Sequence, residues 1–341
     1  MSSPSPDGPA APGRPGAERA TDRLRRLPAG PAATTLLLAA CGVAILHLVQ
    51  RQTGTTGLLV GLGLALLPLP FVLGALAWLN QSARVPTARL ALCLAWGSCA
   101  ATTVALLANG WASSYLTSLQ GSARGATLGS DLATPLIEES AKGAVLLLTV
   151  LPLRRHRTRR GTGPTPPARA RLRRRAVAVG LVLSGCTACG FAFTENVLYL
   201  GRAFTDDQQQ RLDSIGLGLS PSLRDYDDTV HTFVLRALLS PFAHPLFSAL
   251  TGLGLAVALT TARRRLARLA APAGLLAATA LHGVWNAAAG LGTHDFLLVY
   301  LLLMVPCFAA LTALACWAAA CPGRPGRSAP ETRFPFGATI P

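Results

Sequence analysis

Residues 132–153 read LATPLIEESAKGAVLLLTVLPL, an apolar run that nevertheless holds Glu138, Glu139 and Lys142. About 20 predominantly apolar residues suffice to cross the hydrocarbon core of a bilayer, so the run has the length of a membrane span. A charged side chain at mid-span costs on the order of 3 kcal/mol on insertion scales. Three of them within five residues mark either a set of ion pairs that holds helices together or a site that works inside the membrane.

The flanking sequence decides that this is a membrane chain. Further apolar stretches lie at 32–50, 57–79, 89–109, 176–200, 229–260, 269–290 and 296–320. Together with 132–153 they predict an all-α, polytopic bundle of about eight transmembrane helices over 31–321. Polar, Pro-rich segments at 1–30 and 322–341 read as cytoplasmic tails, the first of them disordered. The composition agrees: 51% of the 341 residues are apolar and only 13% charged, against about a quarter charged in soluble domains. Pro241 and Pro245 predict a kink in the sixth run.

The net charge of +16 does not point to nucleic acid, because no basic patch is interleaved with aromatic residues that could stack on bases. The arginines instead cluster between apolar runs. Arg14, Arg19, Arg23, Arg25 and Arg26 precede the first run, ten arginines lie between Arg154 and Arg175, and Arg263, Arg264, Arg265 and Arg268 follow the sixth. The 110–130 segment has one arginine, and the 201–228 segment has six aspartates and three arginines. Under the positive-inside rule this alternation puts both termini in the cytoplasm and requires an even number of spans. The acidic 201–228 segment, read as an outer loop, either gates the site or is simply solvated. Leu38-Ala39-Ala40-Cys41 resembles a lipoprotein cleavage box, but the apolar run continues past it, so a retained helix is expected. Eight cysteines follow no disulfide or zinc-module spacing. Cys186 and Cys189 fall in SGCTACG, a run of small residues suited to close helix packing.

Only five glutamates occur in the chain, and Glu138, Glu139 and Glu195 lie within expected spans. Lys142 is the single lysine. Arg236, His244 and His282 add polar groups to the sixth and seventh runs. Glu138 and Glu139 lie four and three residues from Lys142 and can pair with it along the helix. Arg236 can pair with a second carboxylate, so three acids face two bases and one acid is left over. A leftover carboxylate must be protonated, hydrated or bonded to histidine, which are the conditions of an acid–base catalyst. With the fourth helix entering from outside, Glu138 sits about 10 Å below the outer surface at 1.5 Å per residue. Glu195, His244 and His282 fall at comparable depths on three other helices. His282 and Asn286 share a helix face, as do Phe191 and Glu195.

In order along the chain, Glu138-Glu139-Ser-Ala-Lys142, Phe191-Ala-Phe-Thr-Glu195-Asn196, His244-Pro-Leu-Phe247 and His282-Gly-Val-Trp-Asn286 resemble the EExxK, FxxxEN, HxxF and final histidine motifs of the PrsW family of intramembrane proteases. The resemblance covers about 131–290. That family is distantly similar to the membrane proteases that process prenylated proteins and bacteriocins. The resemblance implies Glu138 as the water-activating base, Glu139 as its neighbour, and His282 with Asn286 as the groups that orient water or hold the oxyanion. Where the prenyl-protein enzymes carry a histidine on the second motif helix, this chain has Glu195. It further implies a single-pass membrane substrate of the anti-sigma-factor type and a place in the plasma membrane.

The expected chemistry is thus hydrolysis of a peptide bond by glutamate- and histidine-activated water. Glu138, Glu139, Glu195, His282 and Asn286 are the candidate catalytic residues, with Lys142, Arg236, His244 and Asn196 in support. His244, His282 and Glu195 form a two-histidine, one-carboxylate set that would suit zinc with an open position, although no HExxH spacing is present. A proton- or ion-coupled transporter would bury the same residue types. It would commonly repeat them in an inverted second half, and no second EExxK segment occurs.

Overall fold

The computed structural model describes residues 29–157, 166–220, 222 and 226–320. The expected tails lie outside them, except that Ala29 and Gly30 begin the first helix. Part of the arginine-rich segment after the fourth run also lies outside. The described residues form helices with no strand among them.

The first helix, α1 (Ala29–Leu66), joins two expected spans across a break at Gly54, whose φ of 66° falls where residues with a Cβ are disfavoured. Pro68 separates it from α2 (Leu69–Ala83), so the second expected span is split in two. Next come α3 (Thr87–Gln120), which widens into a π-turn at Trp96–Ala101, and α4 (Ser122–Leu128). A second π-turn, Gly129–Ala133, leads into α5 (Thr134–Arg157), the helix of the Glu-Glu-x-x-Lys segment.

The centre of the bundle is α6 (Pro166–Gly216). At 51 residues it is about 76 Å long, well beyond the thickness of a bilayer. Most of the expected acidic outer loop is therefore a continuation of this helix, because no proline or glycine interrupts 202–215. One acid there is structural rather than solvated. Asp207 is buried and accepts hydrogen bonds from Thr229 N at 2.8 Å and Thr229 Oγ1 at 2.5 Å. It thereby fixes the first turn of α7 (Asp227–Phe233).

A π-turn, Val234–Leu239, then carries Arg236, and the chain breaks at Ser240–Phe242 before α8 (Ala243–Thr260). The kink expected from the two prolines is thus a full interruption. Pro241 lies in the break, and Pro245 occupies the first turn of α8, where its missing N–H leaves no intrahelical bond unmade. Two helical units complete the order, α9 (Arg264–Ala289) and α10 (Thr293–Val299), the latter passing through a π-turn at Tyr300–Met304 into α11 (Val305–Ala319).

Among the described residues, five stretches can cross a membrane by length and composition: Ala32–Leu66, Thr87–Gln120, Ala168–Gly216, Asp227–Thr260 and His294–Ala319. Helix α2 has only 15 residues, and α5 and α9 carry the polar residues of the site. Large apolar side chains cover the outside of the bundle, with Phe71, Trp111 and Leu302 at least 70% exposed, as a lipid-facing surface requires.

Small residues let α6 sit at the centre. Gly180 and Gly252 abut so closely that a Cβ on either would strike the other's carbonyl oxygen, and Gly190 stands as tightly against Leu94. The SGCTACG run packs in the expected way, with Cys186 and Cys189 buried as free thiols. Gly254 against Gly274 joins α8 to α9 in the same way, and Gly283 sets α9 against Asp131 in the turn before α5, so the four motif segments gather beside α6.

Candidate active site

Helix α5 supplies the base of the site. Its three- and four-residue spacing puts Glu138, Glu139 and Lys142 on one face, and that face is turned inward, leaving them 4%, 1% and 1% exposed. Lys142 Nζ lies 2.8 Å from Glu139 Oε1 and 3.5 Å from Glu138 Oε2. It also stands 4.0 Å from the centre of the Phe191 ring on α6, a cation–π contact that gives the first aromatic of the second motif its task.

Glu139 is fully engaged. Ser248 Oγ donates to its Oε2 at 2.7 Å, and His282 Nδ1 lies 3.1 Å from its Oε1. An ionised carboxylate only accepts, so His282 donates from Nδ1 and keeps the Nε2 lone pair. That lone pair faces Glu138, with Nε2 3.8 Å from Oε2. The other oxygen of Glu138 accepts from Asn109 Nδ2 at 3.3 Å. Phe247 stacks on the His282 ring with centroids 4.8 Å apart and planes 19° apart, which fixes the plane of the imidazole.

His244, in the first turn of α8, has both nitrogens engaged. Lys142 Nζ is 2.9 Å from Nδ1, and Glu195 Oε2 is 2.7 Å from Nε2. An ammonium only donates, so Nδ1 accepts and Nε2–H donates to Glu195. Behind Glu195 stands Arg236, with NH1 3.3 Å from Glu195 Oε2, 3.3 Å from Asn196 Oδ1, and the guanidinium 3.6 Å from the Tyr199 ring centre. The two imidazoles meet edge to face at 5.2 Å.

The structure therefore brings together eight of the nine expected residues. Asn286 is held apart: it shares the His282 face of α9, but its amide donates to the Ser130 carbonyl at 2.9 Å and ties α9 to the turn before Glu138. For a metal, the groups among the described residues whose donor atoms fall within 4.8 Å of one another are Glu138, His244 and His282. The carboxylate of this set is Glu138, whereas Glu195, expected in that place, backs His244.

Sequence reasoning missed Asn109, Ser248 and Trp96, whose indole donates to the Ala141 carbonyl at 3.0 Å. Ser248 was visible in principle, since it follows His244 by one helical turn. Asn109 was visible as an amide at the end of an apolar run.

The model of a family described as PrsW family intramembrane metalloprotease matches residues 85–311. The match extends the resemblance in both directions beyond the segment that carries the motifs. No curated protein and no solved structure matches the chain.

Proposed function

Because the chain belongs to the PrsW family of intramembrane metalloproteases, and so is a membrane protease, we propose that it cuts a single-pass membrane protein using water activated at Glu138. The observation that carries this reading is the polarity of the site. Glu139 is consumed by three donors, whereas Glu138 has only the weaker contact of Asn109 and a long one to Lys142, and its Oε2 faces the free lone pair of His282. Glu138 is thus the carboxylate free to take a proton from water, and Glu139 is the one that holds Lys142 and His282 in place.

The residues present fit a metal ion. A histidine whose far nitrogen is bonded to a carboxylate is the usual outer-shell arrangement of a metal ligand, and His282 on Glu139 and His244 on Glu195 both have it. Glu138, His244 and His282 would hold the ion, zinc by the chemistry of the donors. The bound ion would supply a Lewis acid and a more acidic water. Glu138 would both help to hold the ion and receive the proton of the activated water. His282, held by Glu139 and by the stacked Phe247 ring, would be fixed in the orientation of a ligand.

The substrate class, of the anti-sigma-factor type implied by the family resemblance, belongs to this proposal. So do eight spans, cytoplasmic termini and the plasma membrane. The transporter alternative gains nothing from the family match. The test is cleavage of a panel of single-pass segments by the purified chain in liposomes, with and without a chelator. Glu138→Gln and His282→Ala are expected to abolish cutting, and chelation to suppress it. A chain that still cuts after Glu138→Gln would remove Glu138 from the role of base.

A further inference from the structure

We infer that Lys142 and a divalent cation exclude each other at His244 Nδ1 and Glu138 Oε2, so that Lys142 sets how tightly the site takes a metal. The inference rests on the metal fit proposed above and is independent of proteolysis. The ammonium is 2.9 Å from His244 Nδ1 and 3.5 Å from Glu138 Oε2, two of the groups that would bind the ion. Zinc binds imidazole nitrogen at about 2.0–2.1 Å. An ion on the Nδ1 lone pair would therefore stand about 1 Å from the place the ammonium nitrogen now holds. The two cannot be present together.

The other nitrogen of His244 offers no easier route. It bonds Glu195, and Glu195 is anchored in turn by Arg236. Lys142 is the partner with an alternative, since Glu139 at 2.8 Å gives the ammonium a contact that it can keep when a cation takes His244 Nδ1. Charge points the same way. With neutral histidines, Glu138, Glu139 and Glu195 set against Lys142 and Arg236 give 2 − 3 = −1. A dication added beside the ammonium would leave a net positive charge in a site of low dielectric, where like charges a few ångströms apart repel strongly. Without the ammonium the three carboxylates and Arg236 carry −2, which matches a dication.

The test measures metal binding on the purified full chain in detergent micelles, with no substrate present. Cobalt(II) is titrated by equilibrium dialysis and by its visible absorption. Lys142→Met is expected to bind at least tenfold tighter than wild type, and adding His244→Ala is expected to erase that gain. Lys142→Arg keeps a cation and should stay near wild type. Because Lys142 is the only lysine, protein labelled with ¹³Cε-lysine gives one side-chain signal, and saturating zinc should move it in the wild type. Should Lys142→Met fail to fold, the same tenfold gain is sought in Lys142→Met/Glu139→Gln against Glu139→Gln, where the buried carboxylate no longer lacks its partner. Equal or weaker binding after loss of the ammonium, binding in neither protein, or a lysine signal that stays put while zinc binds would each overturn the inference.

Discussion

The two histidines of the site each lean on a carboxylate, but in different surroundings. Glu139 and His282 form the deep pair, with side chains 0% and 3% exposed. They meet Lys142, Ser248, Phe247, the His244 ring and, at the open nitrogen, Glu138. Glu195 and His244 form the shallow pair at 13% and 11%, backed by Arg236 at 26%. The deep pair is set by the packing of α5, α8 and α9, whereas the shallow pair depends on a guanidinium held over Tyr199 at the margin of the bundle. One pair is built to stay and the other can adjust. Glu138 lies between them and belongs to neither.

The sharpest test of that division is Glu138→Gln. General bases contribute about 10²- to 10⁴-fold to rate, and cleavage should fall by at least that range while the protein stays folded, because the glutamine can keep the Asn109 contact. Circular dichroism and the thermal midpoint in micelles check the fold. A variant that loses activity only by unfolding would show that Glu138 is a structural member of the deep pair.

Next in size is the contrast in stability between the pairs. Breaking a buried ion pair by removing one partner is destabilising by about 3–5 kcal/mol. Glu139→Gln should approach that figure, because it leaves the fully buried ammonium of Lys142 with no carboxylate nearer than Glu138 at 3.5 Å, beside the neutral His244 and the Phe191 ring. Glu195→Gln should lower stability by much less, since Arg236 keeps Asn196 and Tyr199 and reaches the surface. Unfolding of the two variants in the same detergent measures this, and equal losses would break the comparison.

Function should not rank the two as stability does, because each carboxylate backs a histidine of the proposed metal set. Outer-shell carboxylates behind metal-binding histidines are worth about 10- to 100-fold in affinity or activity. Glu195→Gln should show that loss in a protein still well folded, read as cleavage rate together with cobalt affinity.

How much of this was legible before the structure follows from what a bilayer charges for each residue type. Glu138, Glu139, Lys142, Glu195, Arg236, His244 and His282 stood out because ionisable groups are expensive within apolar runs, and the structure gathers all seven. Asn109 and Ser248 did not, because neutral polar residues are tolerated in membrane helices and carry no such signal. The spacing of His282 and Asn286 gave a shared face correctly, but a face does not say which neighbour stands at each height, and Asn286 meets Ser130. Runs of apolar residues located the helices but not their breaks. The halt at Pro68 divides what read as a single span, one helix runs across Gly54 where two spans were expected, and the uninterrupted 202–215 carries α6 through what read as a loop.

The smallest effect probes what supports the shallow pair. Where α7 ends and α8 begins, the backbone leaves carbonyls without helical partners, and the Tyr300 hydroxyl donates to one of them, Leu239 O, at 2.7 Å. Ser240 Oγ donates to Leu235 O at 2.5 Å on the same interruption. His244 begins the next helix, so these bonds set where its ring starts from. Interhelical hydrogen bonds in membrane proteins contribute about 0.6 kcal/mol on average. Tyr300→Phe should therefore lower stability by about that amount and slow cleavage only a few-fold. The deep pair has no counterpart to this bond, because Glu139 lies inside the uninterrupted α5 and His282 inside α9. If Tyr300→Phe acts through the break, combining it with Glu195→Gln should give less than the sum of the two losses in rate, since both loosen the same imidazole. Combining it with Phe247→Leu, which loosens His282 in the deep pair, should give the full sum. Additivity in both double variants would show that the break does not position His244, and the division between an adjustable pair and a fixed one would have to rest on burial alone.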